Sequence, residues 1–213
     1  MLVKDLTMRH LRVVAGALLL AGVGVLGWAI AAGVTQAFDL ALAAPLSLRR
    51  GTSPDWLIAL MQGISWVGGG PQRTVIVVII ALGLWRWRGA LAGSTLARAA
   101  LTSTLTSDWL KLFYLRLRPS LVPHLDTVIA NQSYPSGHAT NAAVVYLLVA
   151  LLAPPALRPR LLMGAVLLTF LTGLSRVMLG VHYPSDVIGG WMLGSAFALL
   201  AAEYCHRLAG TKP

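Results

Sequence analysis

The chain has 213 residues, 57% of them hydrophobic and only 11% charged, with a formal net charge of +10. A soluble domain carries roughly 25% charged residues, so a mean hydropathy of +0.74 points to an integral-membrane protein, read as one domain over residues 1–213. The 17 basic residues are scattered between apolar runs without interleaved aromatics, which argues against nucleic acid as a partner, and the lone Cys205 excludes an internal disulfide.

Lys4, Arg9 and Arg12 precede an apolar run over residues 13–34, longer than a signal-peptide core, which predicts an uncleaved first span. Residues 54–67 place Trp56, Leu57, Leu60, Met61, Ile64 and Trp66 at three- and four-residue spacings, the pattern of an amphipathic interfacial helix. Gly68, Gly69, Gly70 and Pro71 break the chain before a second span at 74–87. The third span, 93–112, carries a polar strip from Thr102 to Asp108, and the remaining three are 139–152, 161–177 and 187–206. The expected fold class is all-α: a polytopic membrane bundle of six transmembrane helices plus a short interfacial helix.

Six spans put ten Lys and Arg on the face holding both termini, Lys4 and Lys212 among them, and seven on the other. Three of the seven are the motif residues Lys111, Arg118 and Arg176, so the excess predicts cytoplasmic termini and a motif face outside the cytoplasm.

Ionisable groups among membrane spans are costly and mark function. Lys111 and Arg118 lie seven residues apart, on one face if helix continued, although Pro119 disfavours helix beyond Arg118. Arg176 adds a second guanidinium, whose fork matches phosphate oxygens. Ser136, Gly137 and His138 open an apolar helix, whose backbone N–H groups and positive end make an anion site. His182 precedes Asp186 by four residues, with Pro184 marking a helix start. A carboxylate on one ring nitrogen fixes the tautomer and leaves the other free to attack phosphorus. This reading makes His182 the nucleophile, Asp186 its support and His138 the general acid. No cofactor is expected, since three cations take the electrostatic role of a metal. Asp108 is expected to pair with Lys111, and His124, Asp126, Asn131 and Gln132 to lie in solvated loop. Gly190 and Gly194 are read as a helix-packing pair within the chain.

The stretches Lys111 to Pro119, Pro135 to His138 and Ser175 to Asp186 resemble the three signature motifs of the type 2 phosphatidic acid phosphatase superfamily, in its integral-membrane branch. The motif core covers residues 111–186. The resemblance implies a metal-independent lipid phosphatase. Lys111, Arg118, Ser136, Gly137 and Arg176 would hold the phosphate, His182 would form a phosphohistidine, and Asp186 and His138 would play the parts given above.

The implied partner is a membrane lipid phosphate. The short chain and its Ala-, Leu- and Arg-rich composition lean towards a bacterium, so the expected location is a bacterial inner membrane with the site facing the periplasm or exterior. Undecaprenyl diphosphate is the first expectation for the substrate, with phosphatidylglycerophosphate, phosphatidate or lipid A as alternatives. A lipid-phosphate binding or translocating protein is the non-enzyme alternative, against which the His182 and Asp186 pair speaks, because binding needs no nucleophile.

Overall fold

The computed structural model describes residues 2–128 and 130–210; Lys212, counted in the charge balance, lies outside them. The helices are α1 (Leu2–Ala31), α2 (Gln36–Leu46), α3 (Asp55–Gly68), α4 (Gly70–Arg88), α5 (Ala90–Tyr114), α6 (Gly137–Leu152), α7 (Arg158–Met178) and α8 (Pro184–Gly210). The described residues are thus all-α, as expected. The sequence reading missed α2, which follows a turn at Gly33 (φ 76°) where the first apolar run had been carried on to residue 34.

Local chemistry sets the helix ends that matter for the site. Ser136 caps α6, and Pro184 opens α8 with Asp186 in its first turn. α5 ends where Leu115 adopts a left-handed conformation (φ 50°). α3 and α4 are bent by 60° at the glycine break.

α8 packs between α6 and α1. Gly190 and Gly194 bring its backbone against α6: a Cβ would meet Ser136 O at 2.6 Å or Thr140 O at 2.3 Å. These glycines therefore serve packing within the chain, as expected. Leu96, Val144, Leu148, Ala198 and Ala202 form a buried seam between α5, α6 and α8. Large apolar side chains face outward, among them Leu18, Val25, Trp28, Ile79, Leu105, Met163 and Phe170. Such a surface suits lipid better than water.

Among the described residues three helices are long and apolar enough to cross a membrane, Arg9–Ala31, Arg158–Met178 and Pro184–Gly210, or four if the bent α3–α4 pair is one span. α6 has only 16 residues. α5 has the length, at 25 residues, but carries the polar strip.

Candidate active site

The expected site residues come from three reversals of the chain. α5 stops at Tyr114, so Lys111 and Arg118 do not share a helix face. The loop instead doubles back: Leu117 bridges Gln132, and Ser133 N–H donates to Arg116 O at 2.8 Å. Arg118 is fixed by Nε to Ala130 O at 2.7 Å and Nη1 to Val181 O at 2.8 Å.

At the second reversal Ser136 is fully buried, and its N–H donates to Asp186 O at 2.9 Å, tying the start of α6 to the start of α8. Lys111 reaches over Gly137, where a Cβ would stand 3.5 Å from Nζ. His138 lies under the α3–α4 break. A Cβ on Gly69 would fall 1.7 Å from His138 Nε2, so any larger residue there would displace the His138 ring. Arg118, Arg176, His182 and Arg73 are all within electrostatic reach of His138.

The third reversal joins α7 to α8. Gly180 (φ 74°) allows the turn, and the Val181 and His182 N–H groups both donate to Arg176 O, at 3.1 and 3.3 Å. His182, 2% exposed, is thereby folded back beside Arg176, 1% exposed. His182 Nε2 lies 3.0 Å from Arg118 Nη1, and Nδ1 lies 3.5 Å from Asp186 Oδ2. A guanidinium has only donors, so Nε2 must present its lone pair. The ring proton of neutral His182 then sits on Nδ1, facing Asp186. Burial, followed by Arg118 and Arg176, holds His182 well below the ordinary imidazole range. Arg118 is itself pushed down to about 10 by burial and by Arg176.

Lys111, Arg118, Ser136, Gly137, His138, Arg176, His182 and Asp186 thus come together at one end of the bundle. Asp108 pairs with Lys111 at 2.7 Å, as expected. Asp126 departs from its expected place in solvated loop: Arg176 Nη1 donates to its carboxylate and to Ser65 Oγ, and Ser65 donates to the same carboxylate at 2.7 Å. Burial raises the Asp126 carboxyl, but Ser65 and Arg176 outweigh it and hold the group below its ordinary value. A cleft of about 590 Å³ opens beside Arg118, lined by residues 117–124 and Asn131. Among the described residues no cluster of three or more His, Cys, Asp or Glu is placed to hold a metal ion.

Sequence reasoning missed Arg116, Asp39 and Ser65. Arg116 Nη1 donates to Asp186 Oδ1 at 2.6 Å, and Nη2 donates to Asp39 Oδ2 at 2.7 Å. The available signal was a lone carboxylate, Asp39, in an apolar stretch of a membrane chain. Ser65 gave no such signal, since a serine on a helix is unremarkable.

Comparison with known proteins bears on the same arrangement. The profile of the PAP2 superfamily matches residues 90–208. The chain is 32% identical over 190 residues to phosphatidylglycerophosphatase B of Bacillus subtilis, covering 86% of this chain and 91% of the relative. It is 31% identical over 136 residues to an undecaprenyl-diphosphatase of Sulfolobus acidocaldarius, covering 62% and 64%. The crystal structure of a transmembrane PAP2-type phosphatidylglycerolphosphate phosphatase from Bacillus subtilis superposes with a TM-score of 0.81 at 28% identity, covering 92% of this chain and 98% of that one.

Proposed function

Because the chain belongs to the PAP2 superfamily and is a membrane lipid phosphatase, we propose that it hydrolyses its lipid through a phosphohistidine formed on His182 Nε2. The single observation that carries this reading is the contact of Nε2 with Arg118 at 3.0 Å, with Nδ1 turned to Asp186. It leaves the nucleophilic lone pair pointing into the cluster of cations.

Lys111, Arg118, Arg176 and the Ser136–Gly137 helix start hold the phosphoryl oxygens and neutralise the charge that spreads over them. Nε2 forms a bond to phosphorus as the bond to the lipid oxygen breaks, and His138, which takes up a proton when the anionic substrate settles beside it, gives that proton to the oxygen. Water then attacks phosphorus, its proton passes to His138, and the P–N bond breaks to free phosphate and His182. Six membrane crossings, with α3 at the interface, would set all three reversals on the non-cytoplasmic side of a bacterial inner membrane. The cleft beside Arg118 would then admit a lipid whose phosphate lies at the interface.

Phosphatidylglycerophosphate is placed ahead of undecaprenyl diphosphate, reversing the order expected from sequence. The Bacillus phosphatidylglycerophosphatase relative matches most of this chain, whereas the undecaprenyl-diphosphatase relative matches 62% of it. The test is phosphate release by purified protein in detergent with EDTA, from both of these lipids, phosphatidate and lipid A, with His182→Ala alongside. Turnover that survives EDTA and disappears in the variant is expected, and the lipid with the highest kcat/KM identifies the substrate. Folded protein that binds the lipids and releases no phosphate overturns hydrolysis and leaves a binding or translocating protein.

A further inference from the structure

α2 carries one carboxylate, Asp39, and the fold buries it to 1% exposure. Its Oδ1 accepts from Ser185 N–H at 2.9 Å, and its Oδ2 accepts from Ser185 Oγ and Arg116 Nη2, both at 2.7 Å. The second arm of Arg116 reaches Ser185 Oγ at 2.7 Å and Asp186 Oδ1 at 2.6 Å, while its guanidinium lies 4.4 Å over the Tyr183 ring. One arginine, its side chain 13% exposed, therefore bridges two buried carboxylates, and the far one is the partner of His182. Burial alone would lower the Arg116 pKa, but Asp186 and Asp39 more than offset it and the guanidinium stays charged.

A buried ion triad is a poor way to gain stability, because desolvation cancels most of the attraction. A single hydrogen bond to Ser185 would fasten α2 at lower cost. The distances indicate a different use. Arg116 holds Asp186 at 2.6 Å, whereas His182 Nδ1 is 3.5 Å from the other oxygen. Arg116 and His182 thus compete for one carboxylate. Without a second anion, a forked guanidinium would draw the charge of Asp186 away from the imidazole. Asp39 supplies that anion and leaves the Asp39–Arg116–Asp186 group with one net negative charge.

We propose that Arg116 and Asp39 are positioning residues of the phosphate-transfer centre: Arg116 orients Asp186, and Asp39 balances Arg116 so that Asp186 keeps its charge for the Nδ1–H of His182. This rests on His182 being the nucleophile. The side-chain hydrogen bonds of both go to Ser185, Asp186 and each other rather than to the residues of the phosphate cradle, so both act on the chemical step rather than on binding.

The other groups around His182 stay constant across the test variants: Lys111 from α5, Arg118 from the following loop, His138 from α6, Arg176 from α7 and Asp186 from α8. Asp39→Asn removes a negative charge, so protonated His182 is less well supported and the acid limb of kcat/KM moves to lower pH. Arg116→Gln removes a positive charge, and the limb moves to higher pH. Each displacement should be about half a pH unit or more. In both variants kcat falls on the order of 10- to 100-fold, with KM and the inhibition constant of inorganic phosphate nearly unchanged. The double variant Asp39→Asn/Arg116→Gln restores the local charge, and its limb returns towards the wild-type position.

The experiment is phosphate release from phosphatidylglycerophosphate and undecaprenyl diphosphate between pH 4.5 and 9 by the full chain in detergent, with inorganic phosphate as competitor. Opposite displacements of the limb support the inference, because a merely structural role would lower activity without them. Limbs that stay in place, or that move the same way, overturn it. If Arg116→Gln does not yield folded protein, Arg116→Lys replaces it: a lowered kcat with an unmoved limb is expected, and wild-type kcat overturns the proposal. Wild-type protein that releases no phosphate overturns the phosphatase mechanism and this inference with it. An active wild type with unresponsive variants overturns this inference alone.

Discussion

Adding one methyl group at Gly190 should pry apart the two helix starts that carry the site. Gly190 lies one turn after Asp186, and a Cβ there would stand 2.6 Å from Ser136 O, 2.8 Å from Ala139 Cβ and 3.2 Å from Thr140 N. Ordinary contact begins at 3.4 Å, so α6 must retreat by about 0.8 Å. The atoms it meets are backbone and a methyl, which cannot swing aside. The retreat would carry Ser136, Gly137 and His138 away from His182 and Asp186, and stretch the Ser136 N–H bond to Asp186 O, now 2.9 Å. A misplacement near 1 Å costs on the order of 100-fold in rate, about 2.7 kcal/mol of barrier. Overpacking adds about 1–3 kcal/mol of lost stability. Phosphate release measured with thermal unfolding in detergent reads both quantities. Gly164→Ala on α7 is the control, because a Cβ there meets nothing within 4 Å; it should keep full activity. A Gly190→Ala protein with kcat within about twofold of wild type would refute the argument that this seam sets the catalytic geometry.

Two further outcomes follow from the same geometry. His138→Ala should lower kcat on lipid substrates by roughly 10²- to 10⁴-fold, but its first step should suffer much less with p-nitrophenyl phosphate, whose leaving group needs no proton. Equal losses on both substrates would remove His138 from the acid role. The second outcome concerns pH. His182 is held neutral in the fold, below its unfolded value of about 6.5. The unfolded chain therefore binds the extra proton first, and stability should decline as pH falls through about 6.5. Unfolding temperatures between pH 7.5 and 5.5 should fall more in wild type than in His182→Gln, and an equal fall in both would contradict this.

Much of the site was legible in the sequence, because its residues carry costs that only chemistry justifies. Lys111, Arg118, Arg176 and the two histidines stand out against apolar spans, and Pro119, Gly137 and Pro184 marked where helices must stop or start. What spacing could not supply was the path of the loop after α5. Local periodicity put Lys111 and Arg118 on one face, whereas the left-handed Leu115 ends the helix and hydrogen bonds to Ala130 and Val181, distant in sequence, place Arg118. Arg116 was hidden for the same reason, since its partners Asp39 and Asp186 are 77 and 70 residues away. α2 escaped because a glycine turn between two apolar runs leaves little trace in hydropathy. Hydropathy undervalues α5 for a related cause: Ser103 and Ser107 of its polar strip are buried in packing.

The pairing of the motif cations in the free site carries a last consequence. Lys111 is held by Asp108, and Arg176 by Asp126, so two of the three cations meet a carboxylate before they meet phosphate. A buried guanidinium without an anion would be costly, which explains why the loop after Pro119 brings Asp126 down onto Arg176. The cost of that arrangement is competition, since Asp126 already offsets the charge of the guanidinium that phosphate would meet. Asp126→Asn keeps the shape and an acceptor for Ser65 but removes the charge. Asp126 is 24% exposed, so its attraction is screened to about 1 kcal/mol, and the inhibition constant of inorganic phosphate should fall by about fivefold. Asp108→Asn should do less, because the Asp108 side chain is 59% exposed and its attraction is screened by water. Competitive inhibition of wild type and both variants at one ionic strength decides the matter. Weaker phosphate binding by Asp126→Asn would mean that the carboxylate aims Arg176 at the substrate and does not stand in its place.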